Sequence, residues 1–302
     1  MKTDRSRGIR RALGAALAAA WVMLAASPVL SVPVNDNSGI LGIAPSAPVQ
    51  GDTLVVVVQA PKPANVSVRY DGTPVAAYEL PDGTRRALIG TDPNVALGSH
   101  TITVTIVGAG TPPARASRAV RINSGRFEVR TLTLPPQTFG LITAENAAIE
   151  RRALNPALGR RTPQALWSGV FVAPSDGLMD SPYGYQSVYN GHRMWWHQGA
   201  DFAASAGAPV VAANAGTVVL AQALPLGGNT VVIDHGQGVL TEYLHLSGFA
   251  AHAGARVERG ALIGRIGATG LVTGPSLHWG LYVNGTWVNP LFWTEPHPGI
   301  TQ

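Results

Sequence analysis

Four side chains in the C-terminal half of the chain have the types and order that metal-assisted hydrolysis requires. His197 and Asp201 stand four residues apart in H-Q-G-A-D-F, and His278 follows in S-L-H-W-G-L-Y-V. Two imidazoles and a carboxylate make three N/O ligands for a catalytic zinc, with the fourth position left open for water. Between them His245, in the strand-like T-E-Y-L-H-L, is an imidazole free to handle the proton of that water. Any one of these histidines alone is more often structural than a ligand. The set as a whole carries the reading.

Ligands that each lie ~2 Å from one ion approach each other within roughly 3–4 Å. A straight strand would separate the Cα atoms of His197 and Asp201 by about 13 Å. The chain must therefore bend between them, and Gly199 is the residue expected to supply an unusual φ. A helix would also bring i and i+4 together. Gly199, Gly207, Pro209 and the β-branched run after them argue against one. The expectation is His197 on a loop and Asp201 at the start of a strand.

In the last long strand, Leu277, Trp279, Leu281 and Val283 share one face, and Ser276, His278, Gly280 and Tyr282 the other. The same rule over 239–246 groups His245 with Thr241 and Tyr243, opposite Leu240, Leu244 and Leu246. Tyr243 is thereby a candidate supporting donor, the lesser alternative to a packed strand tyrosine. His192, close to the first ligand in N-G-H-R-M-W-W, is another. His235, His252 and His297 read as structural or loop residues, and His100 as a solvated turn residue. Asp234 and Glu242 read as strand-end charges able to orient a ligand imidazole.

These groups need a scaffold, and the composition specifies a β-rich one. The chain has 302 residues, enough for two cores, with 35 Gly, 23 Pro and only 13% charged residues. Short β-prone runs at 53–59, 66–70, 75–79, 100–107 and 116–122 are separated by the turn groups D-G-T-P, P-D-G-T and A-L-G-S. This spacing predicts an immunoglobulin-like sandwich over 51–123, preceded by a flexible lead-in at 32–50. Residues 124–169 read as a connector with a strand-like alternation at 127–134 and a short helix over 143–154. Thr143 can cap that helix and Glu145 lies in its first turn. Its Arg151-Arg152 pair reads as a solvated face. A second β-rich domain follows at 170–302, with strands expected at 208–212, 216–221, 229–234, 239–246 and 277–283. The fold class is all-β in both halves.

The net charge of +5 is concentrated at the start, where Lys2, Arg5, Arg7, Arg10 and Arg11 stand against Asp4. An Ala/Leu-rich apolar stretch follows at 12–26. A basic region, a short apolar region and small residues near Ala26 and Ser31 predict a secretory signal peptide over 1–31 and an exported protein. The apolar stretch is short of the ~20 residues a spanning helix needs, so an uncleaved anchor is the lesser alternative. With that region removed the chain is nearly neutral, which argues against nucleic-acid binding from charge, and no later segment is apolar enough for stable insertion into a membrane. The sequence contains no Cys, which excludes disulfides and thiolate ligands. Nothing in it specifies an oligomeric state.

Over residues 180–296 the chain resembles the lysostaphin-type zinc metallopeptidases, endopeptidases that cut peptides of bacterial cell walls. The matching text is S-P-Y-G-Y at 181–185, H-Q-G-A-D-F-A-A at 197–204 and G-A-P-V-V-A-A-N-A-G-T-V at 207–218. It continues with G-N-T-V-V-I-D-H-G-Q-G-V at 228–239, Y-L-H-L-S at 243–247 and G-A-L-I-G-R-I-G-A-T-G-L-V-T-G-P at 260–275. It ends with L-H-W-G-L-Y-V-N-G-T-W-V-N-P-L at 277–291. The resemblance implies a compact antiparallel β-sheet domain with a groove over one zinc per chain. It implies that His197, Asp201 and His278 are the ligands, that His245 is the catalytic non-ligand, and that the substrate is a peptidoglycan peptide. The N-terminal part resembles the accessory region of some exported members.

One departure stands out. The family's last motif is His-x-His, and here it is Ser276-Leu277-His278. The ligand is kept and the preceding imidazole is a serine, whose hydroxyl can hold a water or donate a hydrogen bond but cannot act as a base. The expected function is zinc-dependent hydrolysis of amide bonds in peptidoglycan. The alternatives are a zinc-bearing, catalytically impaired module that binds peptidoglycan or activates an amidase, and a metal-free carbohydrate-binding or adhesive β protein.

Overall fold

A computed structural model describes residues 40–300 apart from positions 109 and 111. The signal peptide expected over 1–31 and the first part of the lead-in, 32–39, lie outside the described residues. The first eight strands are β1 (Ile40–Ala44), β2 (Thr53–Val58), β3 (Ala64–Tyr70), β4 (Thr73–Val75), β5 (Ala77–Glu79), β6 (Arg85–Gly90), β7 (Gly98–Gly108) and β8 (Ala114–Ile122). They form two antiparallel four-stranded sheets, ordered β1-β2-β6-β5 and β4-β3-β7-β8. Leu54, Val56 and Val58 of one sheet pack on Val68, Ile102 and Val104 of the other. This is the sandwich that the period-two pattern of β7 predicts, with Ile102, Val104 and Ile106 buried and Thr101 exposed.

Three details depart from the sequence reading. Ile40–Ala44, inside the segment read as a flexible lead-in, pairs with β2 as an edge strand. Strand β6 was hidden because it begins with Arg85-Arg86, and Arg86 is buried. His100 is not a solvated turn residue: it lies buried in β7, stacked on Tyr70, with Nδ1 2.6 Å from Asp71 and Nε2 2.7 Å from the Ala96 carbonyl.

The connector holds β9 (Val129–Leu132), α1 (Pro136–Phe139) and α2 (Ala144–Leu158). The Thr143 side chain caps α2 by accepting the Asn146 N–H at 3.0 Å. The helix runs through Pro156 and ends beyond the expected position 154. After it come β10 (Leu178–Ser181), β11 (Gln186–Tyr189), β12 (His192–Trp196), β13 (Gly199–Ala203), β14 (Pro209–Val211), β15 (Gly216–Leu224) and β16 (Gly228–Gly236). The chain finishes with β17 (Val239–Phe249), β18 (Arg256–Val257), β19 (Leu262–Ile266), β20 (Ser276–Val283), β21 (Thr286–Val288) and a 3₁₀ turn at Pro290–Thr294. A ten-stranded sheet has the main order β10-β13-β20-β17-β16-β15-β18. Strand β9 pairs in parallel with β11, so the connector is built into the C-terminal region.

One face of the large sheet is the core. Leu277, Trp279, Leu281 and Val283 of β20 are fully buried there, with Val231, Tyr243 and Leu246. The other face carries His278 and Tyr282 and is partly covered by α2, whose Leu154 and Leu158 pack with Leu240 and Tyr282. The two halves also share a core: Val55 and Leu88 of the sandwich join the cluster containing Trp167 and Trp293. That second contact explains why β2, T-L-V-V-V-V, is apolar on both faces rather than alternating. The Arg86 guanidinium lies 4.8 Å from the Trp167 ring centre and donates to Gln237 Oε1 and to the Gly299 carbonyl. No helix among the described residues is long and apolar enough to cross a membrane.

Strand β13 pairs with β20 so that Gly199 faces Gly280 and Asp201 faces His278. Gly199 does not have a positive φ; the expectation of an unusual φ is replaced by one of close approach. A Cβ there would sit 2.3 Å from the Trp279 carbonyl oxygen and 2.7 Å from His278 Nε2. Gly199→Ala is therefore expected to cost about 1–3 kcal/mol of stability by overpacking, read from urea unfolding. Arg86→Ala, which leaves Gln237 without its charged donor, is expected to cost about 1.5–3 kcal/mol in the same measurement.

Candidate metal centre and groove

The bend before β13 and the β13–β20 register bring three donor atoms to one place. His197 Nε2 lies 2.9 Å from Asp201 Oδ1 and 3.1 Å from His278 Nδ1, and His278 Nδ1 lies 2.9 Å from Asp201 Oδ1. Three points about 3 Å apart leave a position ~2 Å from all of them, to one side of their plane, which is the spacing that three ligands of one divalent cation need. Two imidazole nitrogens and a carboxylate oxygen sharing so small a space cannot all be satisfied by one another's protons. The donor set thus fits a divalent cation. His197 is on a loop and Asp201 in the following strand, as the bend requires.

The surroundings fix which nitrogens face inward. His197 Nδ1–H donates to the Pro182 carbonyl at 2.8 Å, which turns Nε2 toward Asp201. His278 turns Nδ1 inward, and its Nε2 lies 3.8 Å from Glu242 Oε1. Glu242 is buried, accepts the Tyr282 hydroxyl at 3.0 Å, and lies over Gly280, where a Cβ would meet Oε1 at 2.7 Å. Burial raises the Glu242 pKa. At Asp201 burial also acts to raise the pKa, but the charges and hydrogen bonds of His197 and His278 outweigh it and hold the carboxyl far below the usual range. At His278 burial opposes protonation, yet Asp201 and then Glu242 prevail and raise its pKa.

His245 reaches the same groove by a route the alternation rule missed. Strand β17 pairs with β16 as Tyr243↔Val231 and Leu246↔Asn229, so Leu244 and His245 together oppose Thr230. This is a β-bulge, and His245 takes a φ of 66°. Leu244 and His245 then both line the groove, while Tyr243 and Leu246 face the core. The ring centres of His245 and His278 are 6.4 Å apart. His245 Nδ1–H donates to the Thr269 carbonyl at 2.9 Å, leaving Nε2 as an acceptor. Burial first, and the neighbouring His278 next, push its pKa down to about 4, so the ring is neutral near pH 7.

The remaining candidates separate. Ser276 lines the groove on the side of His278. Tyr243 does not: it is fully buried on the opposite face, where its hydroxyl accepts the Ala213 N–H at 2.8 Å and lies 3.0 Å from Thr241 Oγ1. Its candidacy as a supporting donor is withdrawn, because the bulge parts it from His245. His192 is exposed on β12, its ring 5.6 Å from that of Phe139, and is absent from the groove lining. His235 is buried and structural, bonded to the Ala215 carbonyl and Thr241, with its pKa pushed down to about 4 by burial.

The groove has a volume of about 480 Å³. Its walls include residues the sequence reading left in the connector: Arg130, Leu132 and Leu134 from β9 and its neighbourhood, and Glu150, Arg151 and Leu154 from α2. Arg151, read as part of a solvated face, borders this groove. The 3.6-residue period of α2 was visible in sequence, but nothing local indicated which surface it would cover.

Residues 196–290 match peptidase family M23. The chain is 47% identical over 95 residues to the peptidoglycan DD-endopeptidase ShyA of Vibrio cholerae, covering 32% of this chain and 22% of that protein. It is 40% identical over 124 residues to the DD-carboxypeptidase/endopeptidase Mpg of Neisseria meningitidis, covering 41% of this chain and 29% of that one. The chain thus spans under a third of the length of these relatives. A crystal structure from Pseudomonas aeruginosa, provisionally assigned to peptidase M23, aligns over 84% of this chain and 96% of its own at 27% identity and a TM-score of 0.62. That alignment extends well beyond the matched segment into the N-terminal region. The C-terminal region of this chain is a peptidase family M23 domain of the lysostaphin type.

Proposed function

We propose that this protein is an exported zinc metalloendopeptidase that hydrolyses amide bonds in peptidoglycan peptides. The observation that carries the reading is the convergence of His197 Nε2, Asp201 Oδ1 and His278 Nδ1 within 3.1 Å of one another at the floor of a groove. The relatives named above support the substrate class, and the basic-then-apolar start of the sequence supports export to where that substrate lies. We also divide the chain into an accessory sandwich (51–123), a connector (124–169) and the peptidase domain (170–302).

His197, Asp201 and His278 would hold the zinc, which when bound would supply the Lewis acidity for polarising an amide carbonyl and acidifying water. The protein's own groups do the rest. His245 Nε2, unprotonated near pH 7, accepts the proton of the attacking water and returns it to the leaving amine. The Thr269 carbonyl holds that tautomer, as the Pro182 carbonyl does for His197. Glu242 faces the outer nitrogen of His278 and keeps its Nδ1 directed inward. Ser276 contributes at most a hydrogen bond from the groove wall.

A second reading is favoured by one observation, Ser276 at the place of an imidazole: a zinc-bearing, catalytically impaired module that binds peptidoglycan. Release of peptides from purified sacculi separates the two. The mature wild type is expected to release peptides, His245→Ala to lose about 10²–10⁴ in rate, and Ser276→His to retain or exceed wild-type activity. Equal background release by all three favours the impaired module. Elemental analysis after dialysis is expected to find about one zinc per wild-type chain and under a tenth of that in Asp201→Asn. Chelation should lower the thermal midpoint of the wild type alone, because a cation bound only by the folded state stabilises it.

A further inference from the structure

Helix α2 belongs to the connector, outside the matched segment 196–290, yet one of its faces borders the groove: Ala147, Glu150, Arg151, Leu154, Asn155 and Leu158, at helical spacing. Within that face Glu150 makes the directed contact. Its Oε2 accepts the Leu226 N–H at 3.1 Å and its Oε1 the Gly227 N–H at 2.8 Å. The fit is close, since a Cβ on Gly227 would lie 2.9 Å from Oε1. The carbonyls of the same two residues are also committed: Leu226 O accepts the Leu271 N–H at 2.7 Å and Gly227 O accepts the His245 N–H at 2.8 Å.

We propose that Glu150 is a positioning residue for His245. Its carboxylate pins the Leu226–Gly227 turn from outside the peptidase domain, and that turn holds the backbone of the bulge on which His245 sits. The bulge needs such support. A histidine at a φ of 66° is in a sparsely populated conformation that persists only when its surroundings fix it. The segment 269–271 fixes the ring, through Thr269 O, and one side of the turn, through Leu271 N–H. Glu150 secures the other side. Without it the two amides have no protein acceptor, the turn loosens, and the His245 N–H loses a fixed partner. The consequence for the groove is a misplaced base rather than a weakened binding wall, so the effect falls on turnover.

This inference rests on the hydrolase reading for its kinetic consequence but not for its structural one, and the test uses both in the full mature chain. Glu150→Ala is expected to lower kcat on sacculus-derived peptides about ten- to a hundredfold with KM within about twofold and zinc content unchanged. Glu150→Gln, which keeps one acceptor, is expected to recover most of kcat. Amide hydrogen exchange should show Leu226, Gly227 and His245 losing protection in Glu150→Ala while Val232 and Ile233 keep theirs. Wild-type protection at the His245 amide, or an unchanged kcat in a folded Glu150→Ala protein, would overturn the proposal. A wild type that hydrolyses nothing would overturn the hydrolase reading instead, and the exchange result would then decide the positioning by itself.

Discussion

The site depends on the pairing of β13 with β20. That register sets Asp201 directly across from His278, and the close approach at Gly199 lets the preceding loop fold His197 back over both. A shift by one residue would turn Asp201 to the core face and separate the donors. The register is held by the apolar face of β20, fully buried from Leu277 to Val283 at alternate positions. The hydrophobic core and the candidate metal site are thus two faces of one strand. The free energy that buries Trp279 and Leu281 also fixes where His278 points.

The outer groups follow from the same constraint. Two of the rings have a backbone carbonyl bonded to their outer nitrogen, Pro182 for His197 and Thr269 for His245, while the outer nitrogen of His278 faces the Glu242 carboxylate at 3.8 Å. The connector completes the enclosure. Its strand β9 joins β11 and β12 in a separate three-stranded sheet, and α2 lies over the site-bearing face of the large one. The groove is therefore wider in sequence than the family segment, which begins at residue 196.

The three candidate donors that the fold brings together were legible because few chemistries use two imidazoles and a carboxylate in this order, and because β20 alternates without interruption. The all-β class followed from turn spacing and β-branched runs. The position of His245 was not legible. Alternation assumes an unbroken strand, and the bulge opposite Thr230 carries no glycine at His245 to announce its positive φ. Counting across it put Tyr243 on the same face as His245, whereas Tyr243 is packed in the core and His245 lines the groove. Gly199 was singled out for its φ, whereas its missing side chain is what the β13–β20 contact requires. Strand β6 was obscured by Arg85-Arg86, whose second member is buried against Gln237 and Trp167, a long-range contact that no local pattern encodes. The wall formed by α2 is of the same kind.

The most direct test of the metal centre is anomalous X-ray diffraction at the zinc edge from zinc-loaded crystals of the mature chain. The account predicts one strong peak about 2.0–2.2 Å from His197 Nε2, Asp201 Oδ1 and His278 Nδ1, with His245 outside bonding distance. A peak ligated by His245 in place of one of these atoms, or no peak in the groove, would contradict it.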